Sequence, residues 1–229
     1  MNRCELNLNF NEPDSCYLIK LGKREHLEQI RNGILRFKPL SFYRAYEKNR
    51  VIGDENEGAE IIVSNQSNII ATFNHPLLSH SIDFSKNFFG LKSFPPDKYI
   101  SSFSYFTAED VQNHSLFSDK MLSEEYDSIL FIIDSIGFVK EIEKATKNYI
   151  LRYGRVSYYN PKDNLYNLTD FYKTMDYEYQ KEYRFSIELN QKQVQEYKSH
   201  ESIPIPYKPV SSIIIPINEF KDCFKIIKK

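Results

Sequence analysis

Tryptophan is absent from this chain of 229 residues, glycine occurs only seven times and cysteine three. So little glycine, beside ten prolines, excludes collagen-like or low-complexity order. Cys4, Cys16 and Cys223 are odd in number and form no Cys-x-x-Cys pair, which points to reduced thiols in a reducing compartment. Neither charge sign is in excess: 30 basic and 31 acidic residues leave a net charge of -1. That balance removes any global electrostatic case for binding DNA or a membrane, though not a local patch. The basic tail residues Lys221, Lys225, Lys228 and Lys229 read as a solvated helix face. No long apolar run exists. The opening MNRCELNLNFNEPD has no signal-peptide character, and Ile129–Ile133 and Ile213–Ile217 are far too short to span a bilayer. A soluble, cytoplasmic protein without membrane contact is the expectation.

What the chain does have is aromatic content, 17 Tyr and 17 Phe within 41% hydrophobic residues, spread in clusters that argue against disorder. A single domain over residues 1–229 is expected, long enough to bury about 70% of the surface its unfolded form exposes. Cys16–Leu21 reads as a strand and Lys23–Asn32 as a helix, with Gly33 where a helix stop is favoured. Ile34–Phe37 reads as a second strand, ended by Pro39, and Leu40–Glu47 as a helical turn or two. Glu60–Val63 and Ile69–Phe73 look like a hairpin around Ser64–Asn68, and Asn74–Pro96 looks irregular. Tyr99–Phe106 is predicted as a strand, and Thr107 as the N-cap of a helix from Ala108. Ser128–Ile133 is the clearest buried strand. Asp134 or Ser135 caps a helix reaching about Asn148, with Ile136, Val139, Ile142 and Glu143 setting its face. Tyr149–Tyr159 is predicted as a strand, Thr169–Met175 as a short helix, Tyr183–Leu189 and Ser211–Ile217 as strands, and Glu219–Ile227 as a terminal helix. Helices and strands mix without a βαβ rhythm or internal repeat. The fold class expected is α+β, with a mixed, largely antiparallel sheet and flanking helices.

Several chemistries lack their residues. Gly-x-Gly-x-x-Gly and Gly-x-x-x-x-Gly-Lys-[Ser/Thr] are missing, as are His-Glu-x-x-His and Gly-x-Ser-x-Gly. His75 and His80 lie five apart with no thiolate or close carboxylate to complete a zinc site. Asp54, Glu55 and Glu57, between Gly53 and Gly58, form an acidic loop that reads as a solvated turn or as a cation site.

Three separated features carry the functional argument. They are the opening strand–helix–Gly unit (Tyr17-Leu18-Ile19-Lys20, then His26 to Gly33), Ser102-Phe103-Ser104 on a strand, and Gln180-Lys181-Glu182 before a strand. Their order and spacing resemble the ADP-ribosyltransferase superfamily, which joins a polar anchor on the first strand, a Ser-x-Ser strand and a Gln/Glu-x-Glu turn. The segments Ile30-Arg31-Asn32-Gly33-Ile34-Leu35-Arg36-Phe37 and Tyr179 to Arg184 also look like an uncharacterised bacterial family that includes abortive phage resistance proteins of the AbiGi type.

That resemblance implies an ADP-ribosyltransferase-like fold and an intracellular enzyme, a toxin or phage-defence effector. It would move ADP-ribose from NAD to a protein or nucleic-acid acceptor, with a neutralising antitoxin as a further partner and no metal. Cleavage of the nicotinamide–ribose bond passes through an oxocarbenium-like state, which a nearby carboxylate stabilises. Glu182 takes that role in the resemblance, Gln180 positions the acceptor, and Lys20, Ser102, Ser104, Tyr43 and Arg184 hold the cofactor. Lys20 departs from the usual Arg or His, because an ammonium cannot form a bidentate fork. Phe42, Tyr43, Tyr46 and Tyr105 are the rings available to stack on a base. Two alternatives stand beside the enzyme: a non-catalytic sensor of the same fold, and a metal-dependent nuclease built on the 54–57 loop with Asp134.

Overall fold

The computed structural model describes residues 16–45, 58, 61–63, 70–75, 78–83, 91–93, 98–107, 109–110, 118–121, 126–160, 168–197 and 202–219. The chain is mixed α+β. Strand β1 (Tyr17–Gly22) is followed by helix α1 (Arg24–Arg31), strand β2 (Ile34–Pro39) and helix α2 (Leu40–Ala45). The short strands β3 (Ile61–Val63), β4 (Ile70–His75), β5 (Leu78–Asp83) and β6 (Leu91–Ser93) precede the long strand β7 (Tyr99–Phe106). Then come β8 (Ser128–Ile132), α3 (Ser135–Ala145), β9 (Ile150–Arg155), β10 (Ser157–Tyr159) and β11 (Tyr172–Thr174). A 3-10 helix (Met175–Gln180) leads into β12 (Glu182–Glu188), α4 (Gln191–Glu196), β13 (Ile203–Pro206) and β14 (Ser212–Pro216).

Eight strands form one sheet in the order β13-β2-β7-β1-β8-β14, with β12 and then β9 branching from β7, and every pairing in it is antiparallel. Among the described strands, only the small β10–β11 pair is parallel. One face of the sheet carries the apolar core, where Leu18, Phe37, Phe103, Leu130, Phe185 and Ile187 pack with Leu27 and Ile30 of α1 and Phe138 and Ile142 of α3. The period-two burial of β2, with Leu35 and Phe37 inside and Ile34 and Arg36 outside, places this strand across the boundary between core and solvent. β13 is an edge strand whose Pro204 and Pro206 alternate outward while Ile203 and Ile205 are buried, which suits a residue that cannot donate to a ladder.

Punctuation residues act as their chemistry dictates. Gly33 has φ +90, and a Cβ there would strike the Tyr207 carbonyl, so the α1–β2 turn requires glycine. The Asp134 carboxylate accepts from the Gly137 N–H at 2.8 Å and caps α3.

Five expectations are corrected. β3 pairs with β6 and β4 with β5, so Glu60–Val63 and Ile69–Phe73 are not partners, and the span expected to be irregular contains β5 and β6. Val156 interrupts the strand expected over Tyr149–Tyr159, leaving β9 and β10 as separate elements. Residues of the helix expected over Thr169–Met175 instead form β11, which finds a parallel partner in β10. On α3 the buried residues are Phe138 and Ile142, whereas Ile136 is 61% exposed. β13 was not anticipated at all, since two prolines mask its alternation. Of the terminal helix, 217–219 are helical and the rest lies outside the described residues, as do Tyr46 and the 54–57 loop.

Candidate functional site

The sheet opens at β7. On one side of β7, β12 runs alongside from Tyr99 to Ser104. On its other side, β2 pairs only with Tyr99 and Ile100, and β1 only with Ser104 to Phe106. Ser101 to Phe103 therefore pair with neither strand on that side, and a gap separates β2 from β1. A cavity of about 720 Å³ occupies this gap, a size suited to a nucleotide-sized ligand. Lys20, Tyr43, Ser102, Ser104, Gln180, Glu182 and Arg184 all line it, so the structure brings the seven residues drawn from the resemblance into one cleft.

The β7–β12 register explains part of this convergence. Ser104 lies opposite Glu182 and Ser102 opposite Arg184, so these four side chains share the sheet face away from the helices. Glu182 is 5% exposed and Arg184 0%. The Glu182 Oε1 accepts from Ser102 Oγ and, at 2.7 Å, from Arg184 Nε, while Arg184 Nη2 lies 2.6 Å away. Its Oε2 accepts from Lys173 Nζ at 3.1 Å, and Lys173 also donates to Gln180 Oε1 at 2.8 Å. Burial pushes the Glu182 carboxyl upward, but the charges of Arg184 and Lys173 outweigh it and hold the group well below the usual carboxylate range. Arg184 Nη1 also donates to the Asp170 carbonyl. The Glu182 N–H donates to Tyr158 Oη at 2.9 Å, and burial holds that phenol above its ordinary range.

Gln180 ends the 3-10 helix, and Lys181 takes a left-handed conformation at φ 42 before β12 begins. The turn is thus helical up to Gln180, and Lys173 is what links Gln180 to Glu182. Lys181 points elsewhere and pairs with Asp110. Lys20 reaches the cleft differently. It lies opposite Leu130 on the core side of β1, and its amine sits 4.8 Å from the Phe103 ring centroid and donates to the Ser102 carbonyl. Desolvation lowers that amine to about 8; Glu182 pulls the other way and Lys38 adds to the lowering.

No protein-family model, no curated protein and no solved structure matches this chain.

The cleft also contains residues that motif reading passed over. Lys173 was hidden inside a segment read as helix. Arg36 and Lys38 alternate on the outward face of β2 and line the cleft with Lys23 and Phe42. Their period-two spacing was visible, but only the gap beside β7 turns that face into a wall. Of the candidate stacking rings, Phe42 and Tyr43 line the cleft, whereas Tyr105 packs against the core and carries Arg155 at 4.6 Å. Asp134 is engaged in capping α3, and among the described residues no group of three or more His, Cys, Asp or Glu is placed to hold a metal. Among them too, no helix is long and apolar enough to cross a membrane.

Proposed function

We propose that this cleft binds NAD and that the chain is an ADP-ribosyltransferase-like protein, with Glu182 facing the ribose. One observation carries the reading: Ser102 Oγ holds Glu182 in a cleft that also gathers Lys20, Ser104, Tyr43, Gln180 and Arg184. Lys20 offers the pyrophosphate a point charge, and Tyr43 a ring beside the base. Glu182 is ionised at neutral pH and is the one carboxylate among the described lining residues, so it is the group available to stabilise positive charge growing on the ribose. The Ser102 hydroxyl fixes its orientation.

The test is incubation with labelled NAD and cell lysate, together with calorimetry of NAD binding. Glu182→Gln should lower turnover roughly 10²–10³-fold with little change in NAD affinity, as for the loss of one transition-state group. Lys20→Ala should weaken NAD binding first. Equal turnover for the wild type and a folded Glu182→Gln would overturn the catalytic reading.

A second reading has its own support. Arg184 and Lys173 already counter the Glu182 charge, which leaves less of it for a cationic transition state. Under that reading the cleft binds the nucleotide without releasing nicotinamide, as a sensor would. The role as a toxin or phage-defence effector rests on the sequence resemblance alone. Expression in bacteria, with and without the Glu182 substitution, tests it through growth and plaque counts.

A further inference from the structure

The charge lining the cleft exceeds what a dinucleotide requires. Among the described lining residues, Lys20, Lys23, Arg36, Lys38, Lys173 and Arg184 stand against the single carboxylate of Glu182. Lys173 and Arg184 are held by Glu182, and Lys20 lies beside the Ser102 carbonyl where the cofactor reading needs it. The pyrophosphate of NAD is offset in part by its own pyridinium ring. Lys23, Arg36 and Lys38 are left over, and none of the three forms an ion pair with a described carboxylate. Arg36 donates only to neutral oxygens, Gln29 Oε1 at 3.0 Å and Ser202 Oγ at 3.5 Å. Lys38 is held over the Phe42 ring at 4.0 Å.

Their placement is regular. Arg36 and Lys38 occupy alternate positions of β2, so their backbones are about 6.6 Å apart along one strand face. That separation is comparable with the distance between successive phosphates of an extended single strand. Phe42 and Tyr43, their rings 5.4 Å apart and edge-on, stand on the same wall one element later. A cationic row beside aromatic rings is how sequence-tolerant single-strand grooves are built. Lys38 feels Arg36 strongly enough that, after burial, the guanidinium is the next cause lowering its amine, and a phosphate between them would relieve that repulsion.

We infer that the β2 wall of the cleft is a subsite for single-stranded nucleic acid, with Arg36 and Lys38 on the phosphates and Lys23 joining them from the start of α1, which makes the acceptor a nucleic acid and not a protein. The strand subsite rests on the dinucleotide reading only in assigning Lys20 to the cofactor; its role as the acceptor site rests on that reading in full.

Fluorescence anisotropy with labelled DNA and RNA single strands of about 12 nucleotides, a length such grooves accommodate, is the test. Binding should weaken with salt on a log–log slope of about -2, as three phosphate contacts on a single strand require. Arg36→Ala with Lys38→Ala should weaken binding about tenfold or more and flatten that slope by about 1.4. The same double variant should keep wild-type NAD affinity in calorimetry. Pyrophosphate and poly-glutamate serve as competitors. Absence of strand binding, wild-type affinity in the double variant, or equal competition by either small phosphate or acidic peptide would overturn the inference. If strands bind and the double variant loses them while NAD fails to bind, the dinucleotide reading and the acceptor role fall together and the strand subsite stands.

Discussion

Glu182 is a charged side chain almost closed to water, and its partners set what each substitution does. Removing the carboxylate strands Arg184, which is wholly buried, and breaking a buried pair from one side costs about 3–5 kcal/mol. Glu182→Ala should therefore lower the urea midpoint sharply. Glu182→Gln retains an acceptor oxygen and should cost less. The acid limb follows by linkage. The folded-state pKa of Glu182 lies below the unfolded value of about 4.3, so its stabilisation is present above that pH. It is lost as pH falls toward the folded value. Urea titrations between about pH 5 and pH 2 should show this loss in the wild type and a shallower one in Glu182→Gln.

Lys20 titrates in the opposite sense. Its amine is lowered to about 8 by burial, so the folded state holds its proton less tightly than the unfolded chain. The cost of charging it is present below pH 8 and is relieved as pH rises from about 8 toward 10.4. For function the sign reverses, because the anion is held by the protonated amine. NAD affinity should begin to fall near pH 8 in calorimetry. Lys20→Arg, always charged, should remove that inflection.

At the scale of elements, the helix boundaries are fixed by three small features. Gly33 ends α1 with φ +90 beneath the Tyr207 carbonyl, while its own carbonyl accepts from the Tyr207 N–H at 2.8 Å. Gly33→Ala meets both the left-handed backbone and that carbonyl, so it should destabilise by about 1–3 kcal/mol. Because β2 follows directly, the same change should disturb the cationic wall. Loss of strand-binding affinity beyond the stability loss would reveal that coupling. The caps behave as local chemistry requires: Asn190 and Gln193 form a reciprocal capping box on α4, and Asp134 caps α3.

Across the whole molecule, order should be greatest where strands are flanked on both sides. β8 lies between β1 and β14, and all five of its residues are buried. Among the described strands β9 has only β12 as a neighbour, and Ile150 and Tyr153 face solvent. Native-state hydrogen exchange should therefore be slowest at Ile129–Phe131, near the global limit, and much faster in β9. Similar protection in both would contradict this sheet order.

The sequence by itself determined the local grammar. Continuous apolar character marked β8, alternation marked β7 and β12, and Gly33 and Asp134 marked a helix end and start. These signals are carried by neighbouring residues, through backbone sterics and short-range hydrogen bonds, so they survive without knowledge of the fold. The resemblance to the ADP-ribosyltransferase superfamily, also read from sequence, pointed to Lys20, Ser102, Gln180 and Glu182. Which strands pair was decided only in three dimensions: β3 takes β6 and not the nearest strand, and β11 finds β10 in parallel. The same holds for Lys173, which becomes a ligand of Glu182 only when β11 folds beside β12, and for Arg36 and Lys38, which become a cleft wall only where β2 and β1 part along β7. Ladder hydrogen bonds form between segments far apart in sequence, and their free energy depends on register and burial, which no local pattern encodes.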